Sequence, residues 1–300
     1  EDCIRVINFC QKKIFDGVIA LGGGSAMDLA KIVIAYLSLK KTDIIELIEY
    51  KGSYTQDIPS IFLPTTHGTA SEVTMWGTLW NMEEKKKYSI AHPSLYPNVA
   101  ILDGNLTLSL PLDVSIITIM DALSHSFESI WNKNSNETST AYAIEAINII
   151  INNAIKLKED LFNIKLRKQL LYASNLAGLA FSNTQTAAAH SISYPLTIHY
   201  GIPHGIASSI TLIPLLQINK VSINHILEKI CSDNCITLNE LILKIESIPH
   251  LVVPNRLNEW GIEKNTINQI VDESFTKGRM DNNIIDLSKN DIRNILKQVY

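Results

Sequence analysis

Long apolar runs, paired cysteines and an excess of basic residues are all missing from this chain of 300 residues. The most apolar stretches, such as 206–216, are interrupted by polar residues or proline well short of the ~18 apolar residues that a membrane-spanning helix requires. The 26 Lys and Arg residues against 30 Asp and Glu leave a net charge of −4. Neither a nucleic acid nor a membrane surface is therefore an expected partner.

The four cysteines are sparse, and Cys231 and Cys235 form a CxxxC spacing without a second pair. The chain opens on acidic residues rather than on a basic stretch followed by an apolar run, so no signal peptide is expected. We therefore expect a reduced, cytoplasmic protein.

The chain has enough apolar material for large cores, since 46% of its residues are hydrophobic and 19% are charged. Its length predicts two domains. Strands are predicted at 18–21, 58–63 and 99–102, with a helix at 26–39 after the first of them. Such alternation favours a parallel sheet with helices on both faces. A short hairpin is expected at 83–87.

After residue 110 the pattern becomes helical, and no intervening stretch resembles a strand. The main predicted helices are 112–130, 138–156, 164–181 and 206–218. The predicted fold class is thus α/β plus all-α: a nucleotide-type α/β domain over residues 1–110 and an all-helical domain over 111–300.

Three glycines and a serine follow the first predicted strand, at Gly22, Gly23, Gly24 and Ser25, where Ser25 is placed to cap the next helix. Backbone N–H groups without side chains, at a helix N-terminus, suit a pyrophosphate. The spacing is not GxGxxG, so an ordinary tight turn is the alternative.

Asp28 and Lys31 share one face of the helix that follows the glycines, and by themselves they favour an intrahelical ion pair over ligands. A second polar loop, 64–72, follows the next strand. Loops at the carboxyl ends of parallel strands bind ligands in open α/β sheets. Its hydroxyls are suited to phosphate or ribose, although a capped turn would have the same composition.

Asp121 and His125 are four residues apart, which places a carboxylate and an imidazole on one helix face. His190 and His204 are expected on different elements, because Pro195 is predicted to break the segment between them. One carboxylate and three imidazoles suit Fe²⁺ or Zn²⁺ with a position left open. The spacing alone is also compatible with an ion-paired helix face.

The remaining histidines carry weaker expectations. No role is assigned to His67, His92 and His199. His225 and His250 are expected at the surface.

Five blocks of the sequence, in order, resemble the iron-containing (group III) alcohol dehydrogenases. The blocks are Gly22–Lys31, Pro64–Glu72, Pro97–Asp103, Asp121–His125, and His190 through Gly205. The resemblance covers essentially the whole chain. It implies a Rossmann-like dinucleotide domain followed by a helical metal and substrate domain, with the site in the cleft between them, and a homodimer.

The resemblance also implies roles for individual residues. The implied metal ligands are Asp121, His125, His190 and His204. The implied cofactor contacts are Gly22, Gly23, Gly24, Ser25, Asp28, Thr65, Thr66, Thr69 and Lys87, the last near the nicotinamide ribose. The implied cofactors are Fe²⁺ or Zn²⁺ together with NAD(H) or NADP(H).

Two features depart from the family pattern. Many members carry a histidine four residues after the third ligand, for proton transfer, and here that place is Tyr194, which is also able to relay a proton. Family members have a further strand–helix portion before the glycine loop, so the nucleotide half is expected to be shortened at its front.

A narrower resemblance is to the branch that reduces phosphonoacetaldehyde to 2-hydroxyethylphosphonate. It rests on Val73–Trp80, Lys86–Ser89, His92–Pro97 and Glu128–Trp131. A dianionic substrate would require cationic and hydroxyl partners such as Lys86 or Lys87, Tyr88 and Ser89. Trp76 and Trp80 fit packing as well as they fit substrate contact.

The resemblance implies a metal-dependent NAD(P)H oxidoreductase that interconverts a small aldehyde and its primary alcohol. Lys87 and Tyr194 are the implied catalytic residues, with His199 or water as other proton sources. A general iron-dependent alcohol dehydrogenase, a Zn-dependent glycerol-type dehydrogenase and a non-catalytic metal-binding protein are the alternatives. A metal-dependent hydrolase is a weaker one, since it would not need the glycine loop.

Overall fold

The computed structural model describes residues 2–11, 13–39, 44–50, 52, 58–81, 84 and 86–300, with the side chains of 45 and 86 left out. The elements of the first part of the chain are α1 (Asp2–Cys10), β1 (Val18–Gly22), α2 (Gly24–Leu39), α3 (Ile44–Glu49), β2 (Ser60–Pro64), β3 (Trp76–Asn81), β4 (Lys86–Ala91) and β5 (Val99–Ala100). Helix α2 begins at Gly24, so Ser25 lies in its first turn instead of preceding it as a cap.

Strands β1, β2 and β5 form a parallel sheet in the order β1-β2-β5, which confirms the predicted α/β class. Ala20 and Phe62 are buried on the face that α2 covers. On the opposite face Ile19 and Leu21 are 71% and 57% exposed. For the described residues, the expectation of helices on both faces of the sheet is therefore wrong. Helix α1 packs on α2, and α3 packs on α2 and β4, so neither covers the exposed face.

Strands β3 and β4 form an antiparallel hairpin with Trp76 opposite Ala91 and Asn81 opposite Lys86. This agrees with the predicted hairpin, although residues 82, 83 and 85 of its turn lie outside the described residues. The hairpin packs closely on α2, since a Cβ on Gly77 would come within 3.2 Å of the Asp28 carbonyl oxygen.

The rest of the chain is helical. Its helices are α4 (Leu112–Ile130), α5 (Glu137–Glu159), α6 (Ile164–Thr184), α7 (Ala188–Tyr200), α8 (His204–Ser209), α9 (Leu212–Asn219), α10 (Asn224–Asp233), α11 (Leu238–Ser247), α12 (Ile267–Glu273) and α13 (Lys289–Gln298). A capping box starts α5, where the Asn136 side chain accepts from the Ser139 N–H and the Ser139 hydroxyl accepts in return from the Asn136 N–H. Asn163 caps α6 in a similar way.

Two helix boundaries differ from the sequence expectation. Pro195 lies inside α7 instead of ending it, and the break falls at Gly201, whose φ of 67° is the left-handed conformation that favours glycine. Packing of the fully buried Ile192 and Leu196 offsets the backbone hydrogen bond that Pro195 removes. The predicted helix over 206–218 is two helices, α8 and α9.

Two buried apolar clusters occupy the two halves of the chain. One gathers residues between Ile7 and Leu95, and the other gathers residues between Ile116 and Val299. We propose that the domain boundary near residue 110 lies between them. The halves meet closely where α6 faces the short 3₁₀ turn Ser71–Val73, which Ala70 precedes. A Cβ on Gly178 would come within 2.3 Å of the Ala70 Cβ.

Among the described residues, no single helix has the length and apolarity to cross a membrane. The helical stretches His204–Asn219 and Asn224–Asp233 are long and apolar enough when counted together, but the chain bends by 116° between them.

Candidate metal and cofactor site

Three of the four predicted metal ligands converge from three helices. Asp121 lies on α4, His190 on α7 and His204 at the start of α8, and one donor atom from each lies within 4.8 Å of the other two. The Asp121 Oδ1 atom is 3.6 Å from His190 Nε2 and 4.0 Å from His204 Nε2. The turn at Gly201 directs α8 back toward α4, and Gly205 permits the approach, since a Cβ there would come within 2.0 Å of the Ile117 carbonyl oxygen.

The fourth predicted ligand, His125, lies beside this group and outside the 4.8 Å set. Its ring is stacked between Phe181 and His190, with centroid distances of 4.1 and 4.4 Å. The loop that follows β2 packs on the same helix, since a Cβ on Gly68 would come within 2.7 Å of the Thr118 carbonyl oxygen. This close approach holds the loop against the metal helix α4.

The sequence reasoning missed Glu128, which completes the cluster. Its carboxylate is fully buried and accepts from the His190 backbone N–H at 3.1 Å and from the His190 ring Nδ1. The bond to Nδ1 fixes the tautomer that leaves Nε2 free, which is the usual partnership of a carboxylate with a metal-binding histidine. Asp121, His125 and Glu128 recur at helical spacing on α4, and this spacing was the signal available in the sequence.

The electrostatics of the cluster keep most of its donors unprotonated. Burial raises the pKa of the Asp121 carboxyl, but His125, His190 and His204 outweigh it and leave that pKa well below its usual range. Burial lowers the pKa of His125 to about 4 and that of His204 to about 3. For His190, burial is outweighed by Glu128 and Asp121, which raise the pKa to about 9.

The donor set fits a divalent cation. His125 Nδ1, His190 Nε2 and His204 Nδ1 are buried and have no hydrogen-bond partner in the structure. Unpaired buried polar atoms are costly, and a bound ion is one of the standard explanations for them. Imidazole nitrogens with a single carboxylate are ligands that suit Fe²⁺ and Zn²⁺.

The predicted phosphate loops lie side by side at the carboxyl ends of β1 and β2. The Thr65 N–H donates to the Gly22 carbonyl at 3.0 Å. A Cβ on Gly23 would come within 3.1 Å of Thr66, and one on Gly24 within 2.6 Å of Thr69. The residues expected to bind a dinucleotide therefore come together, and the cradle exists because the glycines carry no side chains.

Asp28 and Lys31 do not pair with each other within 4.0 Å, so the expected intrahelical ion pair is wrong. Both bond the Ser71 hydroxyl, which accepts from Lys31 Nζ at 2.8 Å and donates to Asp28 Oδ1 at 2.7 Å. Asp28 Oδ2 also accepts from the Thr78 N–H at 2.9 Å. These bonds hold the 3₁₀ turn and the β3–β4 hairpin against α2, and the cofactor contact of Asp28 stays a prediction.

Lys87 and Tyr194 meet beside the metal ligands. The Lys87 ammonium lies 4.1 Å from the Tyr194 ring centroid and 5.3 Å from that of Trp80. Tyr194 lies one helical turn after His190 on α7. Burial raises the pKa of the Tyr194 phenol, but Lys87 and Arg279 outweigh it and leave that pKa lowered.

Two other residues expected to contact an anionic substrate are placed differently. Tyr88 alternates with Lys87 along β4, so it faces the opposite side, and its hydroxyl donates to Glu84 at 2.7 Å. Ser89 is exposed on the same face as Lys87. The Lys86 side chain lies outside the described residues. Trp76 stacks on Phe181 at 6.0 Å between centroids, which is a packing contact.

The remaining histidines have other surroundings. His199 Nε2 bonds Glu273 at 2.6 Å, and His92 Nδ1 accepts from the Ser94 N–H at 3.1 Å. Burial lowers the pKa of His67 to about 3. His225 and His250 are exposed, as expected.

A glycine loop at the carboxyl ends of parallel strands, next to a buried cluster of imidazole and carboxylate donors, is typical of proteins that hold a nucleotide beside a metal ion. Comparison with protein families agrees with this class. Residues 1–104 match the iron-containing alcohol dehydrogenase model, and residues 115–300 match the C-terminal model of the Fe-containing alcohol dehydrogenase family. The chain belongs to the iron-containing alcohol dehydrogenase family, whose members use a nicotinamide dinucleotide and a divalent metal.

Individual relatives extend this result. The chain is 36% identical to long-chain-alcohol dehydrogenase 1 of Geobacillus thermodenitrificans over 69% of its own length and 53% of that protein. It is 30% identical to 4-hydroxybutyrate dehydrogenase of Clostridium kluyveri over 99% of its length and 82% of that protein. The chain thus spans about half of the first relative and about four fifths of the second.

Among solved structures, the chain is similar to sulfoacetaldehyde reductase from Bifidobacterium kashiwanohense in complex with NAD⁺. The TM-score is 0.91 at 27% identity, over 99% of this chain and 80% of that one. The predicted fold, a Rossmann-like half followed by a helical half, is confirmed.

Proposed function

We propose that the protein catalyses the reversible NAD(P)H-dependent reduction of a small aldehyde to its primary alcohol. The observation that carries the proposal is the adjacency of three groups. A buried set of metal donors lies next to Tyr194 and Lys87, and Gly68 of the phosphate-cradle loop packs on Thr118 of the helix that carries Asp121.

In this reaction the metal supplies a Lewis acid for the carbonyl and the nicotinamide supplies a hydride for its carbon. Asp121, His125, His190 and His204 would hold the metal. The glycine loop and the threonines at 65, 66 and 69 would hold the dinucleotide. The aldehyde gains one hydride and one proton to become the alcohol, while NAD(P)H becomes NAD(P)⁺.

Tyr194 is the residue placed to donate the proton. It lies one turn from His190, and its lowered pKa makes the phenol a better acid near neutral pH. Lys87 stabilises the phenolate left after proton transfer, since its ammonium lies 4.1 Å from the ring centroid. Solvent then restores the proton to Tyr194.

Our proposed substrate is phosphonoacetaldehyde, with 2-hydroxyethylphosphonate as the product. Two observations support an anionic substrate. Lys87 contributes positive charge beside the metal donors, and it is one cause of the lowered pKa of His204. The similar proteins include a sulfoacetaldehyde reductase and a 4-hydroxybutyrate dehydrogenase, and both names denote small molecules with one anionic end.

The test is an NAD(P)H-oxidation assay with the Fe²⁺- or Zn²⁺-loaded protein under anaerobic conditions. Phosphonoacetaldehyde, sulfoacetaldehyde, propionaldehyde and glycerol are compared with each cofactor. We expect phosphonoacetaldehyde to be the best substrate. Faster turnover of glycerol with Zn²⁺ would instead support a glycerol-type dehydrogenase. A lack of NADH and NADPH binding at millimolar concentration would support a non-catalytic metal-binding protein.

The matched variants are His204→Ala, which removes a metal donor, and His225→Ala, which removes an exposed imidazole. His204→Ala is expected to lose both the bound metal and aldehyde reduction, while His225→Ala keeps both. Full activity of His204→Ala without bound metal would contradict the proposal. The homodimer and the cytoplasmic location stay predictions.

A further inference from the structure

Two cations beside the metal donors have no carboxylate partner. Among the described residues, no carboxylate oxygen lies within 4.0 Å of the Lys87 ammonium or the Arg279 guanidinium. Both groups act on the same phenol, since the Lys87 ammonium lies 4.1 Å from the Tyr194 ring centroid. Burial raises the pKa of that phenol, but the charges of Lys87 and Arg279 outweigh it and lower the pKa. Positive charge is therefore concentrated at one point of the cleft.

The position of Arg279 is held by Gln185, which precedes the helix that carries His190, and by its own neighbour Gly278. Its Nη1 donates to the Gln185 side-chain oxygen at 3.0 Å and to the Gly278 carbonyl at 2.7 Å. Gln185, in the left-handed conformation with φ 64°, precedes α7, whereas Tyr194 lies within it. The guanidinium is thus fixed next to the helix of a metal donor before any substrate arrives.

A cavity beside Lys87 and Tyr194 suits a small molecule. Its volume is about 150 Å³, and Pro195 also lines it. The carboxylate of Glu273 lines the same cavity, but it is bonded to His199 at 2.6 Å and to Gln269 at 2.9 Å. The acceptor capacity of that carboxylate is therefore largely taken up within the protein.

We infer that Arg279, assisted by Lys87, binds the anionic end of the substrate and makes the site specific for aldehydes that carry a phosphonate, sulfonate or carboxylate group. The inference rests on the proposed function and deepens it. A planar guanidinium held by neutral oxygens keeps its full charge for an anion, and such charge-assisted bonds are roughly twice as strong as neutral ones. Neutral aldehydes would gain nothing from this contact.

The test uses the metal-loaded full chain with Arg279→Gln and Arg279→Lys, and with Arg293→Gln as the control. Arg293 is a half-buried residue of α13 that bonds Asn268 at 2.8 Å and does not line the cavity. Gln at 279 keeps an amide donor for Gln185 but carries no charge. For anionic aldehydes we expect kcat/KM to fall roughly 10- to 100-fold in Arg279→Gln, mainly through KM. Arg279→Lys should lose less, and propionaldehyde should change less than about 3-fold.

A binding experiment separates this inference from the proposed function. Methylphosphonate binding is measured by calorimetry with the wild type and with each variant, without cofactor turnover. Weaker binding in Arg279→Gln than in Arg293→Gln supports the inference even when no aldehyde is reduced. Equal methylphosphonate affinity in the wild type and Arg279→Gln would overturn it, as would no binding to the wild type. An equal fall in kcat/KM for neutral and anionic aldehydes would also overturn it, and the proposed reduction would still stand.

Discussion

Two buried polar clusters, one in each half of the chain, are built from similar residues and have opposite character. In the α/β half, the fully buried Lys31 ammonium donates to Ser71 and Thr74 hydroxyls and to the Trp76 carbonyl, at 2.8–2.9 Å. In the helical half, Asp121 is surrounded by three imidazoles, each of which has one buried nitrogen without a hydrogen-bond partner among the described residues. The first cluster satisfies its polar atoms within the protein, whereas the second leaves donor atoms open to a bound ion.

The difference separates a structural cluster from a ligand-binding one. Carboxylates near Lys31 belong to Asp28 and Glu72, and Asn175 of α6 donates to Glu72 at 3.0 Å. The Lys31 cluster therefore joins α2 to the helical half by bonds within the protein. The Asp121 cluster leaves its donors open, which suits binding and release of an ion.

The largest expected effect is on the Lys31 cluster. Lys31→Met would remove the donor that three oxygen atoms share and the charge that offsets Asp28 and Glu72. We expect the free energy of unfolding to fall by about 3–5 kcal/mol, measured by urea denaturation. The control is Lys289→Met, whose side chain is 61% exposed and pairs with Asp272, so a change near zero is expected. Equal stability of the two variants would show that the cluster does not carry the stability we assign to it.

The pH dependence of the same cluster is the next largest effect. Burial lowers the pKa of Lys31 from 10.5 to about 8, although Asp28 and Glu72 oppose this. Between these two pH values the unfolded chain holds a proton that the folded chain has lost, so Lys31 makes the protein more stable as the pH rises and less stable as it falls. We expect the stability of the wild type relative to Lys31→Met to rise by roughly 3 kcal/mol from pH 8 to 10.5. A flat difference across this range would contradict the assignment.

Metal addition should distinguish the two clusters directly. At about 100 times its dissociation constant, a bound ion stabilises the folded state by about 2.7 kcal/mol. We expect Zn²⁺ to raise the melting temperature of the wild type and of Lys31→Met, and to have no such effect on Asp121→Asn. If Asp121→Asn responded like the wild type, the ion would be bound elsewhere.

The smallest expected effect concerns Glu128, which orients His190 without joining the metal donors. Glu128→Gln should weaken metal affinity roughly 10- to 100-fold, measured by competition with a chelator. Ser126→Ala is the matched control, since the Ser126 hydroxyl is buried on the same helix and donates to the Ala122 carbonyl of that helix at 2.8 Å. An unchanged affinity in Glu128→Gln would mean that the backbone alone orients His190.

Much of the fold and part of the site could be predicted from local sequence patterns. The glycine loop follows a strand, and Asp121 and His125 share a helix face, because strand and helix periodicities are local properties. The same reasoning wrongly predicted a helix break at Pro195, because burial of its neighbours in α7 offset the tendency of proline to end a helix. Arg279 carried no signal at all, because a single arginine in an irregular segment has no pattern.

The sequence by itself therefore determined the types of donor, their spacing along each helix and the order of the two halves. Only the tertiary structure decided that His190 and His204 reach Asp121, that Ser71 stands between Asp28 and Lys31, and that Arg279 meets Tyr194. The physical reason is that these contacts join residues far apart along the chain. Their distances depend on how buried faces pack and on single turns such as that at Gly201, and not on periodicity within an element.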